Sequence, residues 1–178
     1  WSSDVCSSDL TAGAVPWMQA LTPETDVVTA VARAKGTSAS GVKIYANLAP
    51  GTVASITREA HRQGMPVWSH GMVFPARPLE VARSGVDVMS HVCGLAWEAM
   101  ARAPDEYHHD QEPLFGAFTA DSQVFRELFS EMRGRGTILD ATLALYARAD
   151  SIRREDPSRG GERCDTDFAR AQIGRAHV

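Results

Sequence analysis

Apolar positions along this chain alternate between two spacings, one typical of strands and one typical of helices. Four short runs have the apolar and β-branched character of buried strands: GVKIYANL, MPVWSHG, VDVMSHV and TILDATLALY. Three segments between them are predicted to be helices that stop at a glycine: PGTVASITREAHRQG, PARPLEVARSG and DSQVFRELFSEMRGRG. The pattern therefore predicts strands in regular alternation with helices.

The segment before the first strand also has the pattern of a helix. Thr22 is a good N-cap and is followed by Pro23, and helix-favouring residues continue to Gly36. The helix before the last strand is predicted to begin after an N-cap at Asp121. Its apolar stripe has helical spacing and consists of Val124, Phe125, Leu128, Phe129 and Met132. Residues 93–120 are predicted to be irregular and interrupt the alternation.

Strands that alternate with helices predict a parallel sheet with right-handed crossovers. A doubly wound sheet and a (β/α)8 barrel both fit this order of elements. No glycine-rich phosphate-binding loop follows a predicted strand, which argues against a dinucleotide-binding doubly wound fold. We therefore favour an α/β fold that is part of a (β/α)8 TIM barrel.

The two ends of the chain have neither helical nor strand periodicity. DNA that encodes residues 4–10 can be written so that its reverse complement encodes residues 172–178 in order. Natural protein ends have no physical reason to show that relation, whereas a synthetic adapter ligated to both ends of a DNA fragment does. The implied DNA also resembles a common short-read sequencing adapter. We therefore expect residues 1–10 and 173–178 to be adapter-derived and to pack little, and residues 11–172 to be an internal piece of a natural protein.

The amino-acid composition argues against some classes of binding partner. The chain has 178 residues, a net charge of -4 and 44% hydrophobic residues, which is ordinary for a globular domain. It has no basic stripe of the kind that binds nucleic acid and no apolar run of membrane length. We expect a small-molecule substrate, no nucleic-acid partner and no membrane partner. Self-assembly of the intact parent stays open, as does its location, for which we favour the cytoplasm.

Two of the cysteines, Cys93 and Cys164, lie within residues 11–172. They are too few and too far apart in sequence for a disulfide framework or a zinc knuckle. We therefore expect neither.

Three predicted strands carry a side chain that can bind a metal or react. Lys43 lies within the first, and His70 and His91 end the second and third in the similar contexts VWSHG and VMSHV. In a barrel, the carboxyl ends of the strands converge on the face where the chemistry takes place. A lysine inside a parallel strand is also costly to bury as a cation. We therefore expect these three side chains to meet at one face of the fold.

With these residues in place, the chain resembles the amidohydrolase superfamily, especially its imidazolonepropionase-like and prolidase-like branch. The resemblance rests on GVKIYANL, EAHRQGMPVWSHG, SGVDVMSHVCGLAWEA and GTILDATLALY, and it covers nearly all of residues 11–172. It implies a (β/α)8 barrel with one or two divalent metal ions, usually zinc. This chain would then contain about strands four to seven of the barrel with their helices.

The resemblance also implies roles for the three candidate ligands. Lys43 would match a strand-four lysine that is carbamylated and bridges two metals, and His70 and His91 would match metal ligands on strands five and six. Carbamylation would turn a buried cation into a carboxylate-like anion, which two adjacent dications require. The intact parent would then hydrolyse an amide-type C–N bond, in a cyclic amide or a dipeptide-like substrate, through a metal-activated water.

Part of the family's pattern has no match here. Its H-x-H motif on strand one and its Asp on strand eight would fall outside residues 11–172. No catalytic residue is therefore assigned within the chain, and we expect the chain alone to be inactive.

Two other interpretations stay open. Lys43 could instead form a Schiff base in a lyase or aldolase-type barrel, although His70 and His91 would then lack a metal to bind. The segment could also be a non-catalytic remnant that keeps only the fold. The full reading frame decides that second question, because it either contains the H-x-H motif and the strand-end Asp or lacks them.

Residues 93–120 are the predicted substrate-selecting element, because the loop after the His91 strand overhangs the site in a barrel. The candidate substrate contacts are Tyr45, Trp97, Tyr107 and His108. These side chains suit a peptide-like or heterocyclic amide. The alternative is that AWEAMARA forms a short helix that packs on the rim of the fold.

Overall fold

Strands and helices alternate along the chain in the computed structural model, which describes residues 2–5, 18–22, 24–107, 111–119, 121–155, 164, 168–169 and 172–173. The strands are β1 (Ser2–Val5), β2 (Met18–Gln19), β3 (Gly41–Ile44), β4 (Val67–His70), β5 (Val88–Ser90) and β6 (Ile138–Asp140). The helices are α1 (Val27–Gly36), α2 (Pro50–Arg62), α3 (Pro78–Arg83), α4 (Gln123–Arg135) and α5 (Leu143–Glu155). Two 3₁₀ helices, Val92–Ala99 and Phe115–Ala117, follow β5. None of the described helices combines the length and the apolar character needed to span a membrane.

The described strands form one parallel sheet in the order β2-β1-β3-β4-β5-β6. From β3 to β6, each strand pairs with the next one along the chain, and a helix lies between the two strands of each pair. Sequential order means that every crossover advances in the same direction across the sheet. The predicted α/β class, with parallel strands that alternate with helices, is confirmed.

The helices cover one face of the sheet. Alternate strand residues, Val42 and Ile44 of β3, Val67 of β4 and Met89 of β5, are buried in one cluster with the apolar sides of the helices. The stripe predicted for α4 is its buried side, formed by Phe125, Leu128, Phe129 and Met132 with Val124 at the margin. This shared core fixes the strands relative to one another, and with them the edge at which they end.

The opposite face of the sheet is apolar but incompletely covered. Trp68, Val88 and Ile138 are register partners across β4, β5 and β6, and Lys43 is the partner of Trp68 on β3. Trp68 is 42% exposed and Ile138 is 63% exposed. Large apolar side chains of two strands therefore meet solvent on the face that also carries Lys43.

The predicted start of the first helix is wrong. α1 begins at Val27 because Asp26 caps it, and the Asp26 carboxylate accepts a hydrogen bond from the Val28 N–H at 3.0 Å. Thr22, the predicted cap, instead begins a turn in which the Thr25 N–H donates to the Thr22 carbonyl at 3.0 Å. The N-cap of α4 lies one residue later than predicted, at Ser122.

The prediction that residues 93–120 are irregular is wrong for their first part. A 3₁₀ helix covers Val92–Ala99, and Leu95, Ala96 and Trp97 are buried within it. Its last residues belong to the segment AWEAMARA, so the alternative of a short helix at this place describes the structure better. The apolar side chains explain the helix, because they bury against the core and the adjacent loop.

The expectation that residues 1–10 pack little is wrong for residues 2–5. β1 lies between β2 and β3, and it pairs with β3 from Ser2 opposite Gly41 to Val5 opposite Ile44. Backbone pairing of this kind needs no particular side chain, which is why the apolar pattern did not predict it. The adapter origin of residues 1–10 and 173–178 stays a prediction.

The two internal cysteines pair although they are far apart in sequence. Cys93 and Cys164 form a disulfide with their Cα atoms 5.3 Å apart and 71 residues between them in numbering. Their spacing in the sequence did not predict this single bridge, because it depends on the fold that brings Cys164 to the start of the first 3₁₀ helix.

We expect removal of buried and exposed apolar side chains to have very different effects in the 178-residue chain. Leu128→Ala, in the core beneath the sheet, should lower the free energy of unfolding by about 2–5 kcal/mol. Ile138→Ala removes a side chain of similar size from the open face and should cost less than about 1 kcal/mol. Urea denaturation measures both. Equal losses would show that the second face of the sheet is covered in solution.

Candidate functional site

The parallel register brings two histidines together at the carboxyl edge of the sheet. His70 is the last residue of β4 and is the register partner of Ser90, the last residue of β5. His91 follows directly, and the ring centroids of His70 and His91 lie 4.4 Å apart with their planes at 86°. Two imidazoles from neighbouring strands therefore touch edge to face.

Gly71 lets the chain turn away directly after His70. A Cβ atom at this position would lie 2.9 Å from a methyl carbon of Leu95 and 3.1 Å from the Ser90 carbonyl oxygen. A side chain here would press on Leu95 and on the backbone of β5, so glycine suits this close approach of the two strands.

The backbone of His91 is unusual, and the end of β6 holds it in place. His91 has φ 68° and ψ 79°, in the left-handed region that histidine seldom adopts. Its N–H donates to the Asp140 carbonyl at 3.0 Å, and its Nδ1 lies 3.0 Å from Oγ1 of Thr142. Because Nδ1 is occupied in this way, Nε2 is the ring nitrogen left for another partner.

Burial and a nearby positive charge keep both imidazoles neutral. Burial lowers the pKa of His70 well below its usual 6.5, and His91 and Lys43 lower it further. Burial, followed by the charge of Lys43, lowers the pKa of His91 to about 4, against an opposing effect of Asp140. Lys43 therefore lies close enough for its charge to act on both rings. Neutral imidazoles are the form that binds metal ions.

Aromatic side chains form the wall next to His70. The ring of Tyr45, which follows β3, lies 4.2 Å from the His70 ring, and the Tyr107 ring lies 6.2 Å from Tyr45. The Tyr107 N–H donates to the side-chain oxygen of Asn47 at 2.7 Å. The Asn47 contact thus fixes the loop after β5 over the end of β3.

A second apolar cluster continues this wall beyond Tyr107. Met72, Phe74 and Trp97 are buried together, and Phe74 contacts the rings of both Trp97 and Tyr107. Arg77 holds the wall in place, because its Nη2 donates to the carbonyl oxygens of residues 97, 98 and 100 at 2.7, 2.9 and 2.6 Å. This arginine ties the 3₁₀ helix to the start of α3.

The histidines and the aromatic wall enclose a cavity of about 50 Å³. Its lining is mainly apolar, apart from the two imidazoles and the side chains of Gln111 and Glu112. The lining residues are His70, Gly71, Met72, Phe74, His91, Cys93, Gly94, Trp97, Tyr107, Gln111, Glu112, Pro113 and Tyr146. A space of this size holds an ion and a few waters, or a small group of a larger molecule.

The donor set fits a metal ion only in part. Within the residues that the structure describes, no three His, Cys, Asp or Glu side chains are arranged to hold a metal. His70 and His91 supply two neutral nitrogen donors of the kind that zinc prefers, and the nearby Lys43 would add an oxygen donor only if carbamylated. A complete site therefore needs ligands beyond these.

Six of the predicted site residues lie close together, and a seventh lies outside the described residues. Lys43, His70 and His91 are brought together as described, and Tyr45, Trp97 and Tyr107 lie in the aromatic wall beside them. The predicted substrate contact His108 lies outside the described residues. The metal-binding and substrate-binding roles stay predictions.

Sequence reasoning missed the two residues that hold His91. Asp140 is the last residue of β6 and Thr142 lies two residues beyond it. The rule that selected His70 and His91, a polar residue at the end of a strand, would also have selected Asp140. Thr142 carries no such signal, because its contact with His91 depends on a left-handed backbone with φ 50°.

Comparisons with known proteins give a fold likeness only. No family model and no curated protein sequence matches the chain. A solved Xaa-Pro dipeptidase with methionine bound in its active site has 14% identity and a TM-score of 0.47, over 85% of this chain and 32% of that chain. A solved uncharacterised protein has 13% identity and a TM-score of 0.54, over 98% of this chain and 41% of that chain. The chain thus spans less than half the length of these solved chains, and the second likeness shows a shared fold alone.

The lowered pKa of His91 predicts acid sensitivity of the metal-free chain. Its pKa is 6.5 when unfolded and about 4 when folded, so the unfolded state binds more protons between these pH values. Stability should therefore be highest above pH 6.5 and should fall as the pH drops towards 4, by up to about 3 kcal/mol for this group.

Urea midpoints measured across this range provide the test. His91→Gln has no group to titrate and should show a smaller loss of stability on acidification than the unsubstituted chain. Equal losses in the two chains would contradict a buried, neutral His91.

Proposed function

We propose that residues 11–172 are part of the catalytic barrel of a metal-dependent hydrolase that acts on amide-type C–N bonds. One observation carries the proposal: the rings of His70 and His91 are in contact at the carboxyl ends of neighbouring parallel strands, at the edge of the face that carries Lys43. Neutral, mostly buried histidines at strand ends are typical of metal ligands in barrels. The intact parent would be the enzyme, and this chain alone would lack part of the ligand set.

The arrangement of the sheet supports a barrel. The sequential order of β3, β4, β5 and β6 is the order of strands in a (β/α)8 barrel, in which helices lie outside and the inner face closes on itself. The row of Lys43, Trp68, Val88 and Ile138, in which Trp68 and Ile138 are exposed, is apolar enough to be the inner face of such a barrel. Further strands of the parent would cover Trp68 and Ile138.

Zinc is the proposed metal, as one or two ions. His70 and His91 would bind it through nitrogen, and a carbamylated Lys43 would add oxygen donors. The metal would supply Lewis acidity and lower the pKa of a bound water. Thr142 holds the His91 ring by its Nδ1 side, and the surrounding apolar wall limits the access of bulk water to the two imidazoles.

The cavity favours a small-molecule substrate with an apolar group beside the scissile bond. Phe74, Trp97 and Tyr107 present aromatic surface within reach of the histidine pair, and Gln111 and Glu112 are the polar groups near them. Cyclic amides and dipeptides combine such apolar surface with an amide group. We therefore propose these two classes of substrate.

We expect the 178-residue chain to bind Zn²⁺ through its histidine pair. His70→Ala and His91→Ala should each weaken Zn²⁺ binding at least about tenfold, because loss of a direct ligand costs no less than loss of a residue that supports one. Equilibrium dialysis followed by elemental analysis measures the bound zinc. The visible spectrum of bound Co²⁺ reports whether nitrogen ligands are retained.

His61→Ala is the matched control. His61 lies on α2, is exposed, and contacts Asp87 at 2.8 Å away from the cavity, so its loss should leave Zn²⁺ binding unchanged. The metal site would be overturned if zinc binding persists when both His70 and His91 are replaced by alanine. Loss of zinc binding in His61→Ala would overturn it too. Reductive trapping of a carbonyl compound on Lys43 by borohydride would instead favour the Schiff-base alternative.

In the intact parent, we expect Tyr107→Ala to change the ranking of amide substrates and to leave the zinc content unaltered. The Tyr107 ring lies in the aromatic wall, 6.2 Å from the ring of Tyr45, which in turn contacts His70, so its removal opens the substrate side and leaves the proposed ligands in place. Relative kcat/KM values for a panel of dipeptides and cyclic amides measure the effect. Loss of zinc with an unchanged ranking would show that the wall is only structural.

A further inference from the structure

The turn after β6 contacts His91 and the end of β5 through backbone and side-chain groups. The Asp140 carbonyl accepts from the His91 N–H at 3.0 Å, and the Asp140 carboxylate accepts from the Ser90 hydroxyl at 3.2 Å. The same carboxylate accepts from the Thr142 N–H at 3.3 Å. The Thr142 hydroxyl completes the unit, at 3.0 Å from Nδ1 of His91. These contacts join the ends of β5 and β6 around one imidazole.

Two non-glycine residues in this unit have a left-handed backbone. His91 has φ 68° and Thr142 has φ 50°. Threonine is β-branched, and such residues seldom adopt positive φ because the side chain meets the neighbouring backbone. Conformations of this kind persist where surrounding contacts hold them, and they concentrate at functional sites. The strained backbone of Thr142 is what places its hydroxyl against His91.

We propose that Thr142 is a positioning residue that fixes the ring orientation and the tautomer of His91, with Nδ1 protonated and the Nε2 lone pair kept for the cavity. Only the expected effect on metal binding rests on the proposed function. The tautomer itself is a property of the metal-free chain.

The charge of Lys43 selects between the two possible hydrogen-bond directions. In one arrangement Nδ1–H donates to the Thr142 oxygen, and Nε2 carries the lone pair. In the other the Thr142 hydroxyl donates to Nδ1, and Nε2 carries the only N–H of the neutral ring. Thr142 occupies Nδ1, so Nε2 is the nitrogen left to face other groups. Lys43 lies on β3 and Thr142 follows β6, on opposite sides of β5 in the sheet order, so the charge of Lys43 acts from the side of Nε2 and favours a lone pair there over an N–H. A metal ligand must also keep that lone pair.

The test is the tautomer of His91 in the metal-free 178-residue chain, measured above pH 6.5 by nitrogen–carbon correlations of the imidazole ring in NMR spectra. The unsubstituted chain should show the Nδ1–H form. Thr142→Val keeps the β-branch and loses the hydroxyl, so His91 should move towards the Nε2–H form that free histidine favours. Thr142→Ser keeps the hydroxyl and should restore the Nδ1–H form.

Two further variants separate positioning from folding. Thr142→Gly also lacks the hydroxyl but accepts φ 50° without strain, so it reports on the tautomer even if the valine variant unfolds. Thr137→Val is the matched control, because the Thr137 hydroxyl donates to the Val86 carbonyl at 2.9 Å at the opposite end of β6. The control should leave the His91 tautomer unchanged.

Zinc binding provides a separate measurement. Thr142→Val and Thr142→Gly should weaken Zn²⁺ binding about tenfold or more, and Thr142→Ser should restore it. A tautomer shift in a chain that binds no zinc would support the positioning role and overturn the metal function. The same tautomer in all Thr142 variants, or an Nε2–H ring in the unsubstituted chain, would overturn the positioning role whether or not zinc binds.

Discussion

The parallel pairing of β4 with β5 is the constraint on which the candidate site depends. Neighbouring strands lie about 4.8 Å apart, and pairing of His70 with Ser90 places the ends of both strands at the same level. The residue after Ser90 therefore lies beside the end of β4, and its left-handed backbone turns its ring to within 4.4 Å of the His70 ring. A slip of one residue in this register would send His70 to the other face of the sheet and separate the pair.

The core lies on one face of the sheet, and this decides which side chains remain on the other face. Helices bury Val42, Val67 and Met89 on one face, which leaves Lys43 on the other face with Trp68 and Ile138. Sequential strand order and helices on a single face belong together, because each crossover with the same hand returns the chain to the same side of the sheet. The open face and the histidine edge are thus two results of one topology. A closed barrel would use both.

The parts of this structure that could be predicted from sequence are those that repeat a local pattern. Apolar spacing was enough to predict β3 to β6, the helices between them and the convergence of His70 with His91, since each follows from a period and from parallel order. The pairing of Cys93 with Cys164 depends on a return of the chain over 71 residues, and no local pattern encodes it. The Thr142 contact depends on a single strained φ angle, which the residue type argues against.

The histidine cluster and the left-handed backbones beside it cost the folded chain stability. Two mostly buried imidazoles with lowered pKa values make the folded chain less stable in acid, and the charge of Lys43 adds to this effect. The left-handed backbones of His91 and Thr142 each cost about 1–3 kcal/mol. Apolar residues at the two histidine positions would avoid the cost in acid. The hydrogen bonds around Asp140 offset part of the strain, and what they preserve is the direction of one ring nitrogen. That is the property a metal ligand needs and a core residue does not.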